Sequence, residues 1–217
     1  KVTNAGTFTN AGDFNAADLE NTLTFGNTGT LTASNSVTNA GTFTNDESFS
    51  APTVTNAGTF INNKTFTATD VENTLTFDNT GTLTAINKVT NAGTFTNAGD
   101  FNAADVENTA TFTFDNTGTL IASNSVTNAG TFTNDESFSA PTVTNAGTFT
   151  NNKSFSATDV VNTLTFDNTG TLTAINKVTN AGTFTNAGDF NAADLENTLT
   201  FGNTGTLTAS NSVTNAG

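Results

Sequence analysis

The side chains able to do chemistry in this sequence are carboxylates, carboxamides, hydroxyls and five lysines; His, Cys, Met, Trp, Tyr and Arg are absent. Thiol chemistry, disulfides, and imidazole or soft-metal sites are therefore ruled out, and the commonest general base is missing. Two stretches, Asp78-Asn79-Thr80-Gly81 and Asp167-Asn168-Thr169-Gly170, look like the opening of a calcium loop. They lack the further acidic ligands and the closing Glu that such a loop needs, so neither a metal nor a cofactor is expected. Acid and base catalysis would need two carboxylates gathered in perturbed surroundings, whereas every Asp and Glu here falls at a repeating position facing outward. Lysine as nucleophile would need a partner base, and the five lysines are scattered. An enzyme is not expected. With 19 acidic residues and a net charge of −14, nothing offers a basic surface to a phosphate backbone, so no nucleic-acid partner is expected.

What positions these groups is a repeat. Units open at Val2, Leu19, Val37, Val54, Val71, Val89, Val106, Val126, Val143, Val160, Val178 and Leu195, with a further start at Val213. They run 17 or 18 residues, apart from one of 20. A fixed period of this size with turn residues at fixed offsets predicts a solenoid that winds once per repeat. A second period lies on the first: residues 1–87 recur almost unchanged as 88–176 and begin again at 177–217. The expected organisation is one array over 1–217, a piece of a longer chain. The long unit, Val106 to Ser125, gains two residues around Ala110 to Phe112. A pair inserted in a strand would leave inside and outside unexchanged.

Within one unit, five positions are expected to face inward. The first is Val or Leu, the fifth Gly or Leu, the seventh Phe (Phe8, Phe25, Phe43, Phe60, Phe77), the thirteenth Phe or Leu, and the fifteenth Ala. Polar β-branched neighbours such as Thr7 and Thr9 give the alternation of a half-buried strand, and no helical period occurs. The third position (Asn4, Asn21, Asn39, Asn56) and the ninth (Asn10, Asn27, Asn45, Asn62) are Asn in every complete unit. As turn formers they mark corners, and stacked coil on coil their amides can bond along the axis as ladders. A third corner near positions fifteen to eighteen completes a triangular coil with three faces. One coil cannot stand alone, since ordering it costs about 25 kcal/mol against a few buried side chains. Twelve coils at about 4.8 Å would make a rod on the order of 60 Å. Cross-coil ion pairs are expected between Glu47 and Lys64 and between Glu136 and Lys153. Asn21-Thr22-Leu23, Asn27-Thr28-Gly29 and Asn102-Ala103-Ala104 do not match the glycan-acceptor pattern, so no glycan is expected at those corners.

Repeated units such as V-T-N-A-G-T-F-T-N-A-G resemble the repeat arrays of secreted bacterial adhesins, in the style of filamentous haemagglutinins and autotransporter passenger domains, over essentially all of the chain. The resemblance implies an all-β, right-handed parallel β-helix at the cell surface, serving as a structural or adhesive extracellular fibre or stalk. Coils this short also approach those of left-handed hexapeptide helices, which leaves the other hand open. Its partners would be itself, end to end or side by side, or a host or neighbouring cell surface. Nothing in the sequence is apolar for long enough to span a membrane as a helix. Two alternatives accompany this reading. One is a filament subunit joined by strand addition. The other follows from the sixth-position Thr column, which looks like that of insect ice-binding proteins, although the eighth position (Thr9, Gly26, Thr44, Ile61, Asp78, Thr96) breaks the second column.

Overall fold

The computed structural model describes all 217 residues, which form strands, bends and turns and no helix. The chain is a β-solenoid of about 13 coils with two parallel sheets. It divides into two compact units, Lys1–Ala104 and Asp105–Gly217.

In the first unit each coil contributes a short strand and a long one. Short strands such as Thr24–Asn27, Thr42–Asn45, Thr59–Asn62 and Thr76–Asn79 pair in sequence in one sheet. Long strands such as Thr30–Asn39, Ser48–Asn56, Thr65–Asn73 and Thr82–Asn91 pair in the other. Register keeps like beside like: Phe43 opposes Phe60, Phe60 opposes Phe77, Val54 opposes Val71 and Ala51 opposes Ala68. Alternation decides what goes inside. In Thr24–Asn27 the Thr points out, while Phe25 and Asn27 are buried.

Three faces were expected, and two sheets form. The first two corners, at N-A-G and N-T-G and their variants, are bends that interrupt the strands, whereas the third lies inside the long strand as a break in register. Between Thr65–Asn73 and Thr82–Asn91 the pairing steps from Ala68↔Ala85 to Asp70↔Lys88. The same break separates Ala16↔Ala33 from Asp18↔Ser36. This corner therefore absorbs the difference between 17- and 18-residue coils. Buried Leu31 and Ala33 precede it and buried Val37 and Asn39 follow it, while in the shorter coil the order is Phe49, Ala51, Val54, Asn56. A residue gained at a bend turns nothing over.

The fifth position also departs from expectation. Leu23 and Leu75 are 53% and 54% exposed, because they replace Gly at the first corner, where the side chain points to solvent. The glycines there answer to a close approach. A Cβ on Gly41 would lie 2.1 Å from the Leu23 carbonyl oxygen, and one on Gly58 would lie 2.1 Å from that of Gly41.

The second unit repeats this plan, from Thr113–Asn116 and Thr119–Asn128 to Thr200–Asn203 and Thr206–Asn215. Leu164 and Leu199 at its first corner are likewise exposed. Its two additional residues do not enter a strand. They form a turn at the first corner, closed by the Phe112 N–H on the Thr109 carbonyl (3.4 Å), with Thr111 at φ 72°. Phe112 then takes the place of Leu75: its carbonyl accepts from the Thr131 N–H at 2.8 Å, as that of Leu75 does from Thr94 at 2.6 Å. The parity of a strand is thus not what makes the pair tolerable; a corner accommodates it.

Candidate functional site

The repeated chemistry of this molecule lies in its columns. The interior Asn side chains are fully or almost fully buried, a placement that is favourable only if each carboxamide finds partners. In the first unit the Nδ2 groups of Asn4, Asn21, Asn39 and Asn56 donate to the Oδ1 of the Asn in the following coil at 2.8, 2.7, 2.7 and 2.8 Å. Those of Asn10, Asn27, Asn45 and Asn62 do the same at 2.8, 2.8, 2.8 and 2.7 Å. Each of these steps runs in one direction, from Nδ2 of one coil to Oδ1 of the next. The second unit carries the same two columns, for instance Asn128 to Asn145 at 2.8 Å and Asn134 to Asn151 at 2.8 Å.

The amide also ties the corner. Asn56 Nδ2 reaches the carbonyl of Gly58 two residues on (3.0 Å) and that of Thr76 one coil on (2.6 Å), and its Oδ1 accepts the Gly58 N–H at 3.4 Å. No buried side-chain N or O is left without a partner. In N-T corners the Thr hydroxyl adds a bond to the carbonyl of the previous coil's Asn, as from Thr22 to Asn4 at 3.1 Å and from Thr74 to Asn56 at 3.2 Å.

Phenylalanine fills the space between the Asn columns. Phe25, Phe43, Phe60 and Phe77 stack with centroids 4.7–4.9 Å apart and planes within 8°. Phe49 and Phe66 stack at 4.7 Å and meet that column edge to face, at 84° to Phe43 and 89° to Phe60. Each such pair adds about 0.5–1.5 kcal/mol beyond the area it buries. At Phe8, the start of the column, the stack loosens to 23°.

The outer columns are polar. Asp18 accepts Asn35 Nδ2 at 2.6 Å and Ser36 Oγ at 2.9 Å. These bonds, that of Ser36 first, hold its carboxyl below the usual range. The same triplet recurs between the first and second coils of each later super-repeat, as Asp105 with Asn124 and Ser125 and as Asp194 with Asn211 and Ser212. Ion pairs form between Lys1 and Glu20, at 2.6 Å, and between Lys177 and Glu196. Both lysines are held above their ordinary value, chiefly by the hydrogen bond each donates to its paired glutamate. Glu47 and Lys64 stand one coil apart at the second corner, where their carbonyls accept the N–H groups of Thr65 (3.1 Å) and Thr82 (2.8 Å). Glu136 and Lys153 do the same for Ser154 (3.0 Å) and Thr171 (2.7 Å). These backbone bonds, rather than side-chain pairs, are the contacts they make along the stack.

No family model, curated protein or solved structure matches the chain. In the first of the two stretches that look like the opening of a calcium loop, the leading two residues face opposite ways. Asp78 lies on the outer side of a short strand, between Ile61 and Thr96, while the side chain of Asn79 is buried and bonded to Asn97 Oδ1 at 2.7 Å. The same register interrupts the eighth-position column, since Thr44, Ile61, Asp78 and Thr96 follow one another.

One set of side chains escaped the sequence reading. Asn35 and Asn87, the additional residues of the 18-residue coils, each reach down to an aspartate, Asp18 at 2.6 Å and Asp70 at 2.7 Å. The signal was present as an Asn at the position by which those coils exceed their neighbours.

Proposed function

We propose that the chain is a non-catalytic structural element, a coil-stacked spacer in an extracellular fibre or stalk that holds an adhesive or other functional part away from a surface. One observation carries this reading: the buried Asn side chains that bond coil to coil recur in every complete repeat and the buried apolar positions exchange only Phe for Leu or Val for Leu, whereas the outward positions vary among Thr, Ser, Asp, Asn, Gly and Ile. A sequence under such a constraint supplies length and cohesion, which any number of coils can extend. The test is to tether the chain through added terminal handles and pull it. A scaffold resists and then releases coils in steps; a featureless entropic stretch contradicts the reading.

The one-way Asn ladder supports a second reading, a filament subunit. A coil offering Nδ2 groups on one side and Oδ1 groups on the other is complementary to a further copy of itself. Negative-stain microscopy across a concentration series distinguishes the two, with filaments lengthening only if subunits add end to end.

A further inference from the structure

Among the 35 asparagines of the chain, two open an N-x-S/T triplet: Asn63-Lys64-Thr65 and Asn152-Lys153-Ser154. The remaining asparagines are followed two residues on by Gly, Ala, Leu, Val, Lys or Glu. That triplet is the acceptor pattern for N-linked glycan and calls for a surface position. Both asparagines have it. Asn63 and Asn152 are exposed at the bend of the second corner, each one residue beyond a ladder Asn, Asn62 or Asn151, that is fully buried. The first unit holds one site and the second unit the other.

The side-chain contacts suit an acceptor. Asn63 Nδ2 donates to Asp46 Oδ1 at 2.7 Å, and its Oδ1 accepts the Thr80 hydroxyl at 2.9 Å. Asn152 bonds in the same way to Asp135 at 2.7 Å and Thr169 at 2.8 Å. All four bonds are exposed and lie outside the buried ladders. A carboxamide has two hydrogens on nitrogen, and glycosylation replaces one. The other is left for the aspartate, and the oxygen is left for the threonine. A sugar at either position thus adds bulk to the corner without drawing on the bonds that hold the coils.

We propose that Asn63 and Asn152 are acceptor sites for N-linked glycan. In the step, Nδ2 attacks the anomeric carbon of an activated sugar; the N–C bond forms as the bond from that carbon to a phosphate oxygen breaks. The phosphate group leaves with the electron pair, and the nitrogen gives up one proton to the transferase. No oxidation or reduction is involved. Lipid-pyrophosphate oligosaccharides and nucleotide sugars share this leaving-group chemistry.

The experiment has two arms, both on the full chain. In one it is secreted through a cell pathway that uses lipid-linked oligosaccharide; in the other the purified chain is treated with a soluble asparagine glycosyltransferase and UDP-glucose. Intact mass and peptide mapping should find sugar on Asn63 and Asn152 in at least one arm. Thr65→Ala should remove it from Asn63 and Ser154→Ala from Asn152, while Thr65→Ser retains it. Asn63→Gln provides a second variant lacking the acceptor, and an unaltered unfolding midpoint in either variant shows that loss of sugar is not loss of fold. An unmodified mass in both arms, or sugar confined to other asparagines, overturns the proposal.

Discussion

A carboxamide carries two donors and an oxygen that accepts twice, which is why asparagine usually sits in turns or at the surface. Asn56 is 0% exposed, and nearly all of that capacity is used between its own coil and the two beside it. Asn56→Asp keeps the shape and removes the donors. The new carboxylate still accepts from Asn39 but faces the oxygens of Asn73, Thr76 and Gly58. Urea unfolding at pH 7 should show a loss of about 3–5 kcal/mol, as for a buried charge deprived of its partner. Part of it should return in acid, where the neutral carboxyl donates one bond. Asp115 presents a milder case. Burial pushes its carboxyl above the ordinary value, Asp135 pushes the same way, and only a bond from Thr133 opposes them. A raised folded pKa means that the ionised form is disfavoured by folding, so Asp115→Asn should raise the thermal midpoint at pH 7 by the equivalent of less than about 1 kcal/mol after solvent screening. The advantage should shrink as pH falls through the folded pKa and vanish below the unfolded value of 3.8.

At the scale of strands and corners, the variation in coil length is confined to bends. Thr111 shows the strain that a bend can bear, a β-branched residue at φ 72° within the two-residue insertion. A left-handed conformation costs an L-residue roughly 1–2 kcal/mol and glycine almost nothing. Thr111→Gly should therefore stabilise the chain by about 1 kcal/mol in denaturant unfolding, and a loss of stability would show that Thr111 makes a compensating contact. The strands themselves were legible in the sequence. Alternation around Phe8 or Phe43 and Asn at fixed offsets mark both the short strands and the first two corners. The third corner was legible only as a place, because it has no glycine and pairing continues on both sides of it; that is why three faces were expected and two sheets form. Hydrophobicity misplaced Leu23 and Leu75, which share a position with Gly and point outward at a bend. The ion pairs were misplaced for a related reason. Counting along each coil aligned Glu47 with Lys64, whereas Lys1 reaches Glu20 diagonally across two strands in which Thr3 is the residue directly opposite Glu20.

Over the whole chain, the same ladder is built in two units and by near-identical super-repeats, so its strength rests on repetition rather than on any single contact. Breaking one rung leaves its neighbours in place, and a coil length of 17 or 18 residues is equally acceptable because the third corner takes up the difference. This is the behaviour expected of a scaffold lengthened in blocks. In such a scaffold the interior Asn carboxamides are locked between coils, while chemically identical ones outside are not. Hydrogen exchange of side-chain amides, followed by NMR on protein labelled only at asparagine nitrogen, measures this directly. The buried Nδ2 groups of residues such as Asn39, Asn56, Asn134 and Asn151 should exchange more slowly than the exposed ones of Asn35 and Asn87, by on the order of 100-fold or more, given the free energy needed to open a packed coil. Uniformly fast exchange in all of these groups would mean that the interior carboxamides are not locked between coils.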